Sequence, residues 1–279
     1  MPEEYFEVRR PDEQTTPIVV DVPHAGEWIP DRAHDEMAIG DRALKRDLDL
    51  YVDKFWQDAP DLGATMLVSR VSRYVVDLNR APDDVSPEAV EGGERIDAPG
   101  YYQDRGVVWR TTTAGTPVMD GPLTSEAFER RLDTFYHPYH RALREAIDRV
   151  RDQYGYCILV DGHSMPSRGR QKHSDTGRRR ADIVPGDLEG TSCSRMIRWS
   201  VEQHYREANY TVTPNDPYQG GWITRHYGEP HEDVHAIQIE VNRDLYMNEE
   251  TFEIDPEGLE RLRSTCASLI GRLSKIDLT

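Results

Sequence analysis

Ile18-Val19-Val20-Asp21-Val22-Pro23-His24-Ala25-Gly26 is a short apolar run that ends at a histidine in a tight turn. The pattern returns far downstream as Cys157-Ile158-Leu159-Val160-Asp161-Gly162-His163-Ser164. Each run reads as a buried strand, because continuous apolar residues of strand length bounded by Pro or Gly suit a sheet covered on both faces. Ligands of an open α/β sheet gather in the crevice outside the carboxyl ends of its strands. Two histidines delivered to that edge from distant parts of the chain are placed to share one metal ion.

Outward from these runs, strands alternate with helical patterns. Leu44, Leu48, Tyr51, Val52 and Phe55 recur at helical spacing and predict a helix over residues 41–58. Residues 64–69 and 74–78 read as neighbouring strands joined by a short turn. Residues 81–121 are rich in Pro, Gly, Asp and Thr, which predicts a long irregular loop forming a rim or lid. Residues 124–154 form the longest helical pattern, and Pro138 inside it predicts a kink or two helices. A strand over 156–160, a polar loop over 167–180, a helix over 191–207 and a short strand over 209–213 follow. A Gly- and Pro-rich stretch at 215–232 precedes a strong strand over 234–241 and a closing helix over 256–274. This alternation implies a mainly parallel sheet with helices on both faces. No repeat or low-complexity linker divides the 279 residues, so a single domain over 1–279 is expected.

Composition narrows the function. A formal net charge of −17 argues against nucleic-acid binding, which requires clustered Lys and Arg. The basic residues are almost all Arg, with few Lys such as Lys45 and Lys54. Such a surface suits either solubility in concentrated salt or an ordinary acidic cytosolic enzyme. Cys157, Cys193 and Cys266 form no C-x-x-C pair, and Cys157 lies in an apolar run, as a small core residue in a reducing compartment would. The charged N-terminus does not read as a signal peptide, and no apolar run approaches the length of a membrane span. A soluble, cytoplasmic protein without membrane partners is expected.

A catalytic zinc site takes three protein ligands from His, Asp and Glu and keeps one position open. With His24 and His163, the third ligand has two candidates: Glu27, three residues after His24, and Asp49 in Arg46-Asp47-Leu48-Asp49. Glu240 ends an apolar strand, where a carboxylate is costly to bury unless functional or ion-paired, for example with Arg243. Arg80 follows the run Val75-Val76-Asp77-Leu78, and a guanidinium there can grip a carboxylate with two parallel hydrogen bonds or stabilise an oxyanion. Arg225, in a Gly-rich segment, is a second such cation. Asn79 either orients a substrate amide or caps the turn, and His226 either stabilises the oxyanion or orients a neighbour. His137 and His140 flank Pro138 and suit packing or support of ligands. The basic stretches at 168–172 and 178–180 read as a solvated loop, with attraction of anionic substrate as the alternative.

Together these residues resemble the N-formylglutamate amidohydrolase (N-formylglutamate deformylase) family. The resemblance rests on Pro23-His24-Ala25-Gly26, on Asp49, on Val76-Asp77-Leu78-Asn79-Arg80 with Asp83-Asp84, and on Pro138-Tyr139-His140. It continues through Asp161-Gly162-His163-Ser164, the block from Gly220 to Gly228, His235-Ala236-Ile237-Gln238-Ile239-Glu240 and Tyr246-Met247. It implies a fold similar to zinc carboxypeptidases, a three-layer α/β/α sandwich with a mixed, mainly parallel sheet. It implies Zn2+ bound by His24, Asp49 and His163, with Glu27 the alternative to Asp49, and Glu240 as general base and acid. The implied reaction is hydrolysis of N-formyl-L-glutamate to formate and L-glutamate, late in histidine degradation, with Arg80 and Arg225 on the substrate's carboxylates. The alternatives are hydrolysis of another small anionic N-acyl amino acid, or a non-catalytic protein that binds a small anion.

Overall fold

In a computed structural model, which describes residues 5–170 and 175–278, the two histidine-bearing runs are neighbours at the centre of a six-stranded sheet. Its strands are β1 (Phe6–Arg9), β2 (Ile18–Val22), β3 (Thr65–Ser69), β4 (Cys157–Met165), β5 (Ile183–Gly186) and β6 (Val234–Asn242), in the spatial order β1-β3-β2-β4-β6-β5. The inner pairs β3/β2, β2/β4 and β4/β6 are parallel, and the edge strands β1 and β5 run antiparallel. The mixed, mainly parallel sheet expected from the sequence is the one observed.

The helices are α1 (Asp31–His34), α2 (Asp41–Lys45), α3 (Val52–Phe55), α4 (Ser125–Arg131), α5 (His137–Tyr154), α6 (Arg195–Glu207), α7 (Trp222–Tyr227) and α8 (Pro256–Leu273). Alternation along a strand assigns them to faces. Asp21 of β2 and Asp161 of β4 are opposite each other in the ladder and look toward α5 and α7, where Tyr139 donates to Asp21 and Thr224 to Asp161. The next residue, Gly162, turns the other way, onto Trp56 just beyond α3, and α3 in turn packs on α8. Helices thus cover both faces, and one apolar core runs from Phe6 to Ile276.

Several elements differ from the sequence reading, each for a tertiary reason. The pattern over 41–58 breaks into α2 and α3, because the intervening backbone bonds elsewhere. Asp49 N–H donates to the His24 carbonyl at 3.0 Å, the Arg46 carbonyl accepts from Arg243 and Arg170, and Tyr51 has φ 68°. Residues 74–78 are a buried connector rather than a strand: Asp77 N–H donates to Val107 and the Val75 carbonyl accepts from Arg131. Their apolar character serves burial, and β1, with apolar Phe6 and Val8 alternating with charged Glu7 and Arg9, takes the place beside β3. The strand expected over 209–213 reduces to one bridge, Val212 with Ile183, while β5, with Pro185 on an edge where Pro is tolerated, pairs with β6. α7 lies in the stretch read only as Gly- and Pro-rich. The helix read from 191 begins at Arg195, capped by Ser194. The break at Pro138 is realised as a π-helical turn, Leu132–Tyr136, joining α4 to α5. Finally, His24 does follow its strand, but His163 lies inside β4 rather than at a turn.

Gly162 leaves no room for a side chain, since a Cβ there would lie 2.7 Å from Trp56 Nε1. Gly162→Ala is expected to destabilise the protein by about 1–3 kcal/mol through overpacking, read as a lower urea midpoint. An unchanged midpoint would show that Trp56 yields freely.

Candidate active site

The carboxyl ends of β2 and β4 bring His24 and His163 to a centroid separation of 4.9 Å. Each imidazole is clamped at Nε2 by a buried carboxylate. His24 Nε2 donates to Asp77 Oδ1 at 2.7 Å, and His163 Nε2 to Asp161 Oδ1 at 2.7 Å. A proton fixed on Nε2 leaves Nδ1 as the basic nitrogen. Asp77 is itself saturated: its Oδ1 accepts Asn79 N–H at 2.9 Å, and its Oδ2 accepts Arg73 Nη2 at 2.7 Å and Trp109 Nε1 at 2.8 Å. Burial opposes its charge, but Arg73 and then His24 hold the Asp77 carboxyl well below the usual range.

Both Nδ1 atoms face one oxygen. Asp49 Oδ2 is 2.9 Å from His163 Nδ1 and 3.5 Å from His24 Nδ1, and the latter atom has no hydrogen-bond partner although it is buried. The other oxygen, Oδ1, accepts Arg243 Nη2 at 2.9 Å. Burial works against the charge of Asp49 too, yet the neighbouring His163 and His24 hold its carboxyl well below the usual range. Two imidazole nitrogens and a carboxylate oxygen, all within 4.8 Å of one another, converge on a point that demands positive charge. A metal ion meets that demand with the donor set of a three-ligand catalytic centre, and the residues fit it.

Glu240 stands opposite His163 in the β4/β6 ladder. Its Oε1 accepts Gln238 Nε2 at 2.9 Å, while Oε2 is buried without a partner. Burial raises its carboxyl above the ordinary glutamate range. A basic oxygen without a bond, beside a metal-type centre, is ready to take a proton. All of this opens into a cavity of about 460 Å3, whose walls include Asn79, Arg80, Tyr102, Arg105, Arg225 and Glu240.

The comparisons with known proteins agree on one answer. A family model described as N-formylglutamate amidohydrolase matches residues 16–247. The chain belongs to the N-formylglutamate amidohydrolase family. An N-formylglutamate deformylase of Pseudomonas putida is 34% identical over 236 residues, covering 84% of this chain and 82% of that protein. One from Pseudomonas aeruginosa is 32% identical over 261 residues, covering 92% of each. The crystal structure of an N-formylglutamate amidohydrolase from Ralstonia eutropha JMP134 superposes with a TM-score of 0.89 at 33% identity, covering 97% of both chains.

For this N-formylglutamate amidohydrolase family member, the structure sorts the residues singled out from sequence. His24, Asp49, His163, Glu240, Arg80 and Arg225 meet at one cavity. Glu27 does not join them: its side chain is half exposed and pairs with Lys45 at 2.9 Å, because the turn after His24 carries it to the surface. Glu240 forms no ion pair with Arg243, whose guanidinium goes to Asp49 and Ser164 instead. Asn79 lines the cavity, with Oδ1 accepting Ile223 N–H at 2.7 Å and Nδ2 packed 3.0 Å from His163 Nε2. It therefore anchors the start of α7 beside the histidine. His226 stacks on Trp222 outside the cavity wall. His140 is half-buried, donates from Nε2 to the Leu78 carbonyl and accepts from Tyr227, a packing role. Of the basic stretches, Arg168, Arg178 and Arg179 are exposed, the last two pairing at the surface with Asp216 and Asp244, whereas Arg170 and Arg180 turn inward to pair with Asp47 and Asp175. Gln171 and Lys172 lie outside the described residues.

Sequence reasoning missed the roles of Asp77, Asp161 and Arg243. The cost of burying a carboxylate in an apolar run, applied to Glu240, flags Asp77 and Asp161 equally. Asp77→Asn and Asp161→Asn are each expected to weaken metal binding by about 10- to 100-fold through loss of imidazole orientation, measured by chelator competition. Wild-type affinity in both variants would remove the clamping role.

Proposed function

We propose that this chain hydrolyses N-formyl-L-glutamate to formate and L-glutamate with a zinc ion held by His24, Asp49 and His163. The observation that carries the reading is the convergence of both Nδ1 atoms on Asp49 Oδ2, with the unpartnered Glu240 Oε2 in the same cavity. The relatives named N-formylglutamate deformylase supply the substrate. Two imidazoles and one carboxylate are a donor set that suits Zn2+. When bound, the ion acts as a Lewis acid on a carbonyl and lowers the pKa of water.

The chain's own groups do the rest. Glu240 Oε2 takes a proton from the water that attacks the formyl carbon, and returns it to the amide nitrogen as the C–N bond breaks. Arg80 and Arg225, which form no ion pair among the described residues, hold the carboxylates of the substrate. The clamps on Nε2 keep the ligand nitrogens in place so that little reorganisation accompanies the reaction. The single-domain organisation of residues 1–279, a place in histidine degradation and a cytoplasmic setting belong to the same proposal. One large core supports the first, and among the described residues no helix is long and apolar enough to cross a membrane.

Zinc-loaded protein is expected to release formate from N-formylglutamate in preference to other N-formyl and N-acetyl amino acids. Activity should vanish on chelation and return with zinc. Preference for another acyl amino acid would replace the substrate, and activity indifferent to chelation would remove the metal. Glu240→Gln is expected to lower kcat by at least about 100-fold while the zinc content stays at the wild-type level; retained turnover would exclude Glu240 as the base.

A further inference from the structure

The cavity holds positive charge that the fold does not neutralise. Of the arginines in its wall, Arg73 pairs with Asp77, Arg170 with Asp47 and Arg243 with Asp49. Arg80 and Arg105 have no carboxylate partner among the described residues. Arg80 is nevertheless rigid. Its Nε donates to the Arg105 carbonyl at 2.9 Å, its Nη1 to the Asn79 carbonyl at 2.8 Å, and its guanidinium lies 3.9 Å from the centroid of the Tyr102 ring.

Arg105 is half-buried, and among the described residues its guanidinium makes no hydrogen bond, ion pair or ring contact. Burial and the charge of Arg80 both press its pKa down. Two neighbouring guanidinium groups in a partly desolvated wall repel each other unless an anion lies with them. In a chain with net charge −17, carboxylates are plentiful, yet among the described residues none forms an ion pair with either guanidinium, and Asp77 and Asp84 act on Arg80, and Asp47 on Arg105, only from beyond ion-pair distance. The bond from Arg80 to the Arg105 main chain also fixes the two residues relative to each other. The third unpaired cation, Arg225, is exposed on α7 against the rim loop, where Gly100 at φ +91° brings the backbone close.

We infer that Arg105 joins Arg80 in one carboxylate cradle, so that both guanidinium groups hold one carboxylate of the substrate while Arg225 holds the other. The assignment rests on the N-formylglutamate reading above and adds a specificity-determining residue to it.

The test compares three substrates on zinc-loaded wild type, Arg105→Gln and Arg105→Lys. They are N-formylglutamate, N-formylglutamine, which lacks the side-chain carboxylate, and N-formylisoglutamine, which lacks the α-carboxylate. Arg105→Gln should lower kcat/KM for N-formylglutamate by about 10- to 100-fold, the range for a lost charged hydrogen bond, and Arg105→Lys should restore part of it. In Arg105→Gln the penalty for one amide should shrink, Arg80 still holding that carboxylate, while the other stays, which names the carboxylate in the cradle. Both penalties persisting at wild-type size would overturn the inference. Glutarate binding, followed by calorimetry on protein of unchanged zinc content and melting temperature, should weaken by a similar factor. If wild type turns over none of the three substrates, the substrate reading fails. Glutarate then decides alone: weaker binding in Arg105→Gln supports the cradle, and equal binding removes it.

Discussion

One oxygen atom, Asp49 Oδ2, faces the basic nitrogens of two imidazoles, and much of the structure exists to keep that arrangement charged and dry. A buried carboxylate is tolerated only where partners satisfy it. Arg243 takes the second oxygen of Asp49, and Asp77 and Asp161 hold the far sides of the histidines. Those two carboxylates need partners in turn, which Arg73, Trp109 and Thr224 provide. The local chain obeys the same demand. Residues 46–51 give up helical hydrogen bonds because their amide and carbonyl groups anchor His24, Arg73, Arg170 and Arg243.

What the sequence made legible follows from this hierarchy. β2, β4, β6 and α8 have periodicities set by burial alone, and their patterns survive into the structure. The irregular course of 81–121 and the break at Pro138 follow from local turn and proline chemistry and were equally visible. The helix over 41–58 and the strand over 74–78 were not readable correctly, since both apolar patterns are genuine but their backbone partners come from remote segments. β1 and β5 carry little signal because edge strands need no continuous apolar run. Within the site, residue type and strand position pointed to His24, His163 and Glu240. The family resemblance favoured Asp49 over Glu27, but residue type and spacing left both open, and the path of the chain separates them by turning one out to Lys45 and the other in beneath both histidines. Arg105 had no sequence signal, as its significance lies in the partner it lacks.

The distribution of charge repeats the point on a larger scale. A strongly acidic chain concentrates arginines around one cavity and neutralises only some of them. The neutralised ones are Arg73, Arg170 and Arg243, and of these Arg73 and Arg243 support Asp77 and Asp49 beside the two histidines. Arg80, Arg105 and Arg225 line the cavity without an ion pair among the described residues. Structural and substrate-directed arginines are thus distinguished by their partners and not by their burial.

His163 and Glu240 are ladder partners on adjacent parallel strands, so the spacing between the proposed ligand and the proposed base is set by main-chain hydrogen bonds of the sheet and not by a loop. Side chains alternate faces along a strand, so a slip of one residue between β4 and β6 would turn either group away from the cavity. Intermediate registers do not exist, which makes catalytic competence an all-or-none property of the central sheet. The separation of these two side chains therefore belongs to the sheet and is lost only when the sheet itself opens.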